Sequence, residues 1–183
     1  MLKKNINRKG QVMIFIGLVA VFVFLLAFTL FFDYLLLSPG VSGEEYRFIQ
    51  QENSRLADAL LLPGYPESWD KESVMRIGLA ENNFLNETKA GYFQELTEND
   101  EGYETGRSLL GLFYDYLVII EDAEGNTIHS IGNYERIPNT NGFITEEDLK
   151  STNPSAIAIQ ERTILRETNG VSNVKIKVYT YQR

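Results

Sequence analysis

An uninterrupted apolar run, residues 12–32, constrains this chain more than any other feature of its sequence. The run is 21 residues long and carries no charge. As an α-helix it would extend roughly 32 Å, close to the thickness of a bilayer's hydrocarbon core. A secretory signal has a shorter apolar region followed by a small-residue cleavage site, and residues 33–40, DYLLLSPG, contain none. A buried core helix would show a polar face. We therefore expect a retained transmembrane helix.

Charge is divided unevenly along the chain. Lys3, Lys4, Arg8 and Lys9 precede the apolar run, whereas from residue 33 onward 25 acidic residues face 13 basic ones, a net of -12. Basic residues before a membrane helix predict a single-pass protein with a cytoplasmic N-terminus and an extracellular C-terminal domain. The acidic body argues against nucleic acid as a partner, since phosphates require a basic face. The absence of cysteine excludes disulfides and thiolate chemistry.

The residues that border the run read Arg8-Lys9-Gly10-Gln11. This stretch resembles the leader of type IV pilin precursors, particularly the archaeal kind with its class III signal peptide. In that family a membrane peptidase cuts after a Gly preceded by Lys or Arg, and the apolar helix is kept as the core of a filament. The resemblance implies a single cut after Gly10, in a cleavage site formed by Lys9, Gly10 and Gln11, so that the mature protein begins at Gln11. Many pilins carry Glu at the fifth mature position, where this chain has Phe15.

Two functions remain open on this basis. The first is a structural subunit, major or minor, of an archaeal cell-surface filament, processed by a prepilin-type peptidase and assembled through its apolar helix. Its partners would be the lipid bilayer, the peptidase, and copies of itself or other pilin-like subunits. The second is an uncleaved single-pass membrane-anchored protein with an extracellular binding domain.

The chain divides into four segments by composition. Residues 1–10 form the basic leader, 11–37 the transmembrane or assembly helix, 38–43 a hinge that contains Pro39 and Gly40, and 44–183 an extracellular α+β domain. Residues 44–62 predict a helix, because four apolar side chains recur on one face at spacings of three and four, namely Tyr46, Ile49, Leu56 and Leu60.

A turn follows this helix, with Pro63, Gly64 and Pro66 as its turn residues and Trp69 as its buried anchor. The segment is similar to outer domains of archaeal pilin-like proteins, which carry a P-G-x-P-x-x-W turn, an I-G-L stretch and a short helix with a lysine. The matching residues here are Pro63, Gly64, Pro66, Trp69, Ile77, Gly78, Leu79 and Lys89.

Asn86 begins the N-x-[ST] sequence Asn86-Glu87-Thr88. On an exposed domain it could be glycosylated. The alternative is that Asn86 caps a helix over residues 87–96.

The second half of the chain predicts strands at 116–120, 127–131, 157–167 and 171–181. Turn residues at 122–126 and the sequence Thr168-Asn169-Gly170 join them into two hairpins. In the last of these strands, apolar and polar side chains alternate. This pattern predicts that Val174, Ile176 and Val178 face the core and that Lys175, Lys177 and Tyr179 face solvent. The expected fold is therefore α+β: a long N-terminal transmembrane helix, a second helix and an antiparallel four-stranded sheet.

The composition of the polar segments between these elements predicts loops. Residues 133–155 predict a long loop, in which Thr145 and the acids that follow it form a capping box for one helical turn. The acids of a second, Gly-containing loop are expected to be solvated, namely Glu98, Asp100, Glu101 and Glu104.

The sequence offers little for catalysis. His129 is the one histidine and falls within a predicted strand, and neither a nucleotide-binding nor a nucleophile motif is present. We therefore expect no enzymatic activity, no metal and no cofactor.

Overall fold

We describe the fold from a computed structural model. It describes the backbone of residues 8–37, 42–137, 142–167 and 170–183, and the side chains of 14–29 and of the last three ranges. The chain forms two compact units, Met1–Gly40 and Val41–Arg183. The predicted hinge at 38–43 lies outside the described residues except for Ser42 and Gly43.

Helix α1 spans Arg8–Leu37 and is the described part of the first unit. Within the described part of the chain, no helix is long and apolar enough to cross a membrane. The expected transmembrane helix is therefore wrong, and so is the expected single-pass localisation with a cytoplasmic N-terminus and an extracellular domain.

Helix α2 spans Gly43–Leu60, two residues short of the predicted end. The Ser42 side chain caps it by accepting a hydrogen bond from the Glu45 amide at 3.2 Å. Its buried face consists of Ile49, Asn53, Leu56, Ala57 and Leu60. This face lies against the sheet of the second unit.

The sheet has six strands: β1 Ala80–Glu81, β2 Phe84–Leu85, β3 Asp115–Glu121, β4 Thr127–Gly132, β5 Ala156–Glu167 and β6 Val171–Gln182. Their order is β1-β2-β5-β6-β3-β4. Since β2 pairs with β5 in parallel, with Phe84 opposite Leu165, the sheet is mixed and curls into a half-barrel. The predicted antiparallel four-stranded, pilin-like sheet is wrong. The two added strands β1 and β2 are joined by a turn through Asn82 and Asn83, both at positive φ. Each strand is too short to show the alternation by which strands are predicted from a sequence.

The four long strands nevertheless form the two predicted hairpins. β3 pairs with β4 in antiparallel fashion, with Val118 opposite Ile131. β5 pairs with β6 along its whole length, from Ala156 opposite Gln182 to Glu167 opposite Val171. Residues 168 and 169 of the second turn lie outside the described residues.

Each face of the sheet carries a buried core, and this corrects the prediction that one face is wholly exposed to solvent. One face packs under α2 in a core that includes Val174, Ile176 and Val178, as predicted. The other face carries a second core, formed by Leu117, Ile119, Ile137, Ile144, Leu149, Tyr179 and Tyr181. Tyr179 was predicted to face solvent, yet it is buried because Ile137, Ile144 and Leu149 pack over this face. Lys175 and Lys177 lie on the same face as Tyr179, and their ammonium groups pair with Glu161 and Glu121.

Three short helices complete the second unit. Helix α3, Glu87–Leu96, and helix α5, Glu146–Ser151, begin as predicted, and the capping box of α5 joins Thr145 to Asp148. Helix α4, Asp100–Leu110, replaces the predicted acidic loop. Asn99 caps its start and Gly111, at φ 63°, ends it.

Candidate functional site

The surface of α1 is the first candidate. All described side chains of this helix, residues 14–29, are exposed, and the large apolar ones among them are 46–69% exposed. Thr29, the polar residue of the stretch, donates its hydroxyl to the carbonyls of Leu25 and Leu26 at 3.1 and 2.9 Å. Folded proteins rarely leave an apolar surface of this extent open to water, and such surfaces mark interaction sites.

The predicted cleavage site lies in the first turn of the same helix. Lys9, Gly10 and Gln11 follow Arg8, where α1 begins, and their side chains lie outside those described. Their cleavage therefore stays a prediction.

A groove on the second unit is the other candidate, and sequence reasoning missed it. It lies between α2 and the loop that joins α4 to β3, is open to solvent, and has a volume of about 440 Å³; its lining residues are Phe48, Gln51, Glu52, Arg55, Phe113 and Tyr114. Phe48 is 62% exposed and Phe113 is 88% exposed. We call this set of residues the aromatic groove.

The loop of the aromatic groove is fixed to α2 by two side chains. The carboxylate of Glu52 accepts the backbone N–H of Phe113 at 2.9 Å and that of Tyr114 at 3.3 Å. One turn later on α2, the Arg55 guanidinium donates to the Gly111 carbonyl. Leu112 is buried in the core between these contacts. These contacts fix the backbone of the loop, and the side chain of Phe113 projects from it into solvent.

The residues of the P-G-x-P-x-x-W similarity come together in space around the turn. Trp69, buried as predicted, donates its indole N–H to the Gly78 carbonyl at 3.1 Å. A Cβ on Gly78 would lie 2.3 Å from the Leu62 carbonyl oxygen and 2.5 Å from the Gly64 nitrogen. Lys89, only 3% exposed, donates its ammonium to the Pro63 carbonyl at 2.8 Å. These contacts tie the turn to α3, which is a structural role.

Asn86 caps α3, as the alternative interpretation expected. Its Oδ1 accepts the Lys89 amide at 3.1 Å, and its Nδ2 donates to Glu81 at 2.7 Å. Nδ2 is the atom to which an N-linked glycan attaches. Glycosylation stays a prediction, and it would replace one hydrogen of the amide group that now faces Glu81.

The acids expected to be solvated belong in part to an ion-pair network. Arg136 lies 2.8 Å from Asp100, 3.3 Å from Glu104 and 3.8 Å from Asp115. The Asn133 amide and, more weakly, Arg136 lower the pKa of the Asp100 carboxyl. Arg107 and Arg183 also lie within reach of Asp115. Because each carboxylate faces a guanidinium, the network fastens α4 to the sheet.

His129 lies in β4 as predicted, with its Nδ1 3.0 Å from the Gln94 side-chain oxygen. Burial lowers the pKa of its imidazole. Among the residues that the structure describes, no group of three or more histidine or acidic side chains could hold a metal ion.

Comparison of the chain with models of protein families, with curated proteins and with solved structures finds no match. The candidate surfaces therefore have to be interpreted from their own chemistry.

Proposed function

We propose that this chain is a structural subunit of a filament, which assembles by packing α1 against the α1 helices of other copies. The exposed, uncharged surface over residues 14–29 carries this proposal. The resemblance of Arg8-Lys9-Gly10-Gln11 to a pilin leader supports processing by a prepilin-type peptidase, which would free the amine of Gln11.

The apolar area of α1 is large enough for self-association. Full burial of a large apolar side chain contributes about 1.5–3 kcal/mol. Since these side chains are already about half shielded by their own helix, burial of the whole stretch supplies on the order of 10 kcal/mol per copy, which is comparable with the cost of association.

The small residues of α1 favour close helix packing. Gly17, Ala20 and Ala27 interrupt the bulky side chains, and Gly17 has no neighbouring atom within 4 Å of the place where a Cβ would be. Small residues let two helix backbones approach, so that van der Waals contacts extend along the pair.

Two measurements test the proposal. Peptide mass spectrometry of the protein from its native cells identifies the first residue. A start at Gln11 is expected, and a start at Met1 would contradict processing by the peptidase.

The second measurement is the size of the assembly, by light scattering and electron microscopy. Val21→Asp places a charge in the middle of the proposed contact and should abolish large assemblies, because a buried unpaired charge is strongly unfavourable. Val171→Asp is the matched control, since Val171 is 64% exposed in the second unit. Equal assembly of both variants would show that α1 is not the contact.

A further inference from the structure

We propose that the aromatic groove is a contact between the second units of neighbouring copies, in which Phe113 of one copy enters the groove of another. This inference rests on the proposed function, because it names a second self-contact in the same assembly.

The groove and the ring that would fill it belong to one surface. A cavity of about 150 Å³ holds a benzene ring, so the groove, at about 440 Å³, has room for a phenylalanine side chain. Phe113 stands 88% exposed at its edge. Each copy can therefore offer its ring to the groove of the next copy, a heterologous contact that can continue along a filament.

The position of Phe113 favours binding because it is fixed in advance. Glu52 and Arg55 hold the backbone on both sides of it. An aromatic side chain presented by an ordered loop loses little conformational freedom on binding, and rings buried in a partner's pocket dominate the energy of many interfaces.

The balance of charge around the groove favours a second copy as the occupant. Residues 42–183 carry 24 acids and 13 bases, so two such units repel over most of their surfaces. The groove is locally balanced: Glu52 and Arg55 line it, and a smaller cavity beside it is lined by Glu44 and Arg47. Neither Glu44 nor Arg47 has an ion-pair partner among the described residues. Each can therefore pair with the opposite charge of another copy of the same surface.

The short connection between α1 and α2 also favours a contact between α2 surfaces of neighbouring copies. Only five residues separate the end of α1 from the start of α2. Copies that associate through α1 also raise the effective concentration of their α2 surfaces for one another, which strengthens a contact that would be weak alone.

Cysteine cross-linking tests the contact directly, because the chain has no cysteine of its own. Full-length Gln51→Cys and Tyr114→Cys proteins, whose substituted positions line the groove and which keep Phe113, are mixed before assembly and then treated with a short bismaleimide. Met75→Cys is the control, since Met75 is 67% exposed and lies outside the groove. We expect cross-linked pairs of the two groove variants at a yield several-fold above that of the control.

Two other results overturn the inference in different ways. If light scattering shows assemblies but all three variants cross-link equally, the groove is not the contact and the filament proposal stands. If no assemblies form and no pairs are trapped, both proposals fail. A Phe113→Asp protein gives a second readout: it should assemble less than the Val171→Asp control, and equal assembly would contradict the contact.

Discussion

Replacement of Glu52 by alanine tests whether the loop that carries Phe113 is held in place by α2. The substitution removes the acceptor of two backbone N–H groups, those of Phe113 and Tyr114. A hydrogen bond to a charged group contributes about 1.5–3 kcal/mol. Here Glu52 is only half-buried and the freed amides can bond to water, so we expect a net loss of about 1–2 kcal/mol of local stability.

Amide hydrogen exchange measures this loss at single residues. A change of 1.4 kcal/mol corresponds to a factor of ten in an equilibrium constant, so the amides of Phe113 and Tyr114 should exchange about tenfold faster in Glu52→Ala. Exchange at Val118 and Ile120, which are buried in β3, should stay unchanged, because the global fold keeps its core. Gln51→Ala, which alters the same groove, is the control and should leave all four rates unchanged.

Unchanged exchange at Phe113 and Tyr114 in Glu52→Ala would refute the reasoning. It would mean that the buried Leu112 and the Arg55 contact are sufficient to hold the loop. A general increase over the whole of β3 would also contradict it, since Glu52 would then stabilise the sheet and not the loop alone.

Three further predictions concern the second unit. Gly78→Ala should lower the free energy of unfolding by about 1–3 kcal/mol in urea denaturation, because its Cβ would meet backbone atoms of the turn. Gly91→Ala is the matched variant in α3, where the added Cβ has open space around it. It should raise the free energy of unfolding by about 0.5–1 kcal/mol. Stability should fall as the pH drops below about 6.5, the ordinary pKa of histidine, because burial lowers the pKa of His129 and the folded state resists protonation. His129→Gln should remove this dependence of the free energy of unfolding on pH between about pH 5 and 7. An unchanged dependence would rule out His129 as its source. Asn86→Ala should lower the free energy of unfolding by about 1 kcal/mol, because the helix cap is lost. Thr88→Ala, which also removes the glycosylation sequence, should leave stability unchanged. The mass of an attached glycan would be missing from the mass spectra of both variants.

Elements that depend on neighbouring residues could be predicted from the sequence. The Asp122–Asn126 turn chemistry indicated the β3–β4 hairpin, and the Asp122 carboxylate does accept the Asn126 amide at 2.7 Å. The capping box at Thr145 and the cap at Asn86 likewise act within three residues. Such signals are local, so no knowledge of the tertiary fold was needed.

Elements that depend on distant partners could not be predicted. Helix α4 contains Gly102 and Gly106, which disfavour helix, and it is held by packing of Tyr103 on Tyr116, with ring centroids 4.8 Å apart. Tyr179 alternates with residues of the opposite face and appeared to face solvent. Its burial depends on Ile144 and Leu149, some 30 residues earlier in the chain.

The two candidate surfaces differ in the same respect: one depends on neighbouring residues and the other on residues far apart in the chain. The apolar character of α1 is evident from the sequence alone. The aromatic groove is not, because Glu52 and Phe113 are 61 residues apart and meet only in the folded chain.

The central place of β6 in the sheet has a consequence for synthesis of the protein. β6 pairs with β3 on one side and with β5 on the other, so the sheet cannot close until residues 171–182 have left the ribosome. Contacts between residues so far apart also form slowly. Helix α1 is made first, and its apolar surface is exposed during this whole interval. We therefore expect α1 to need shielding, by a chaperone or by early pairing with other copies, before the domain that follows it has folded.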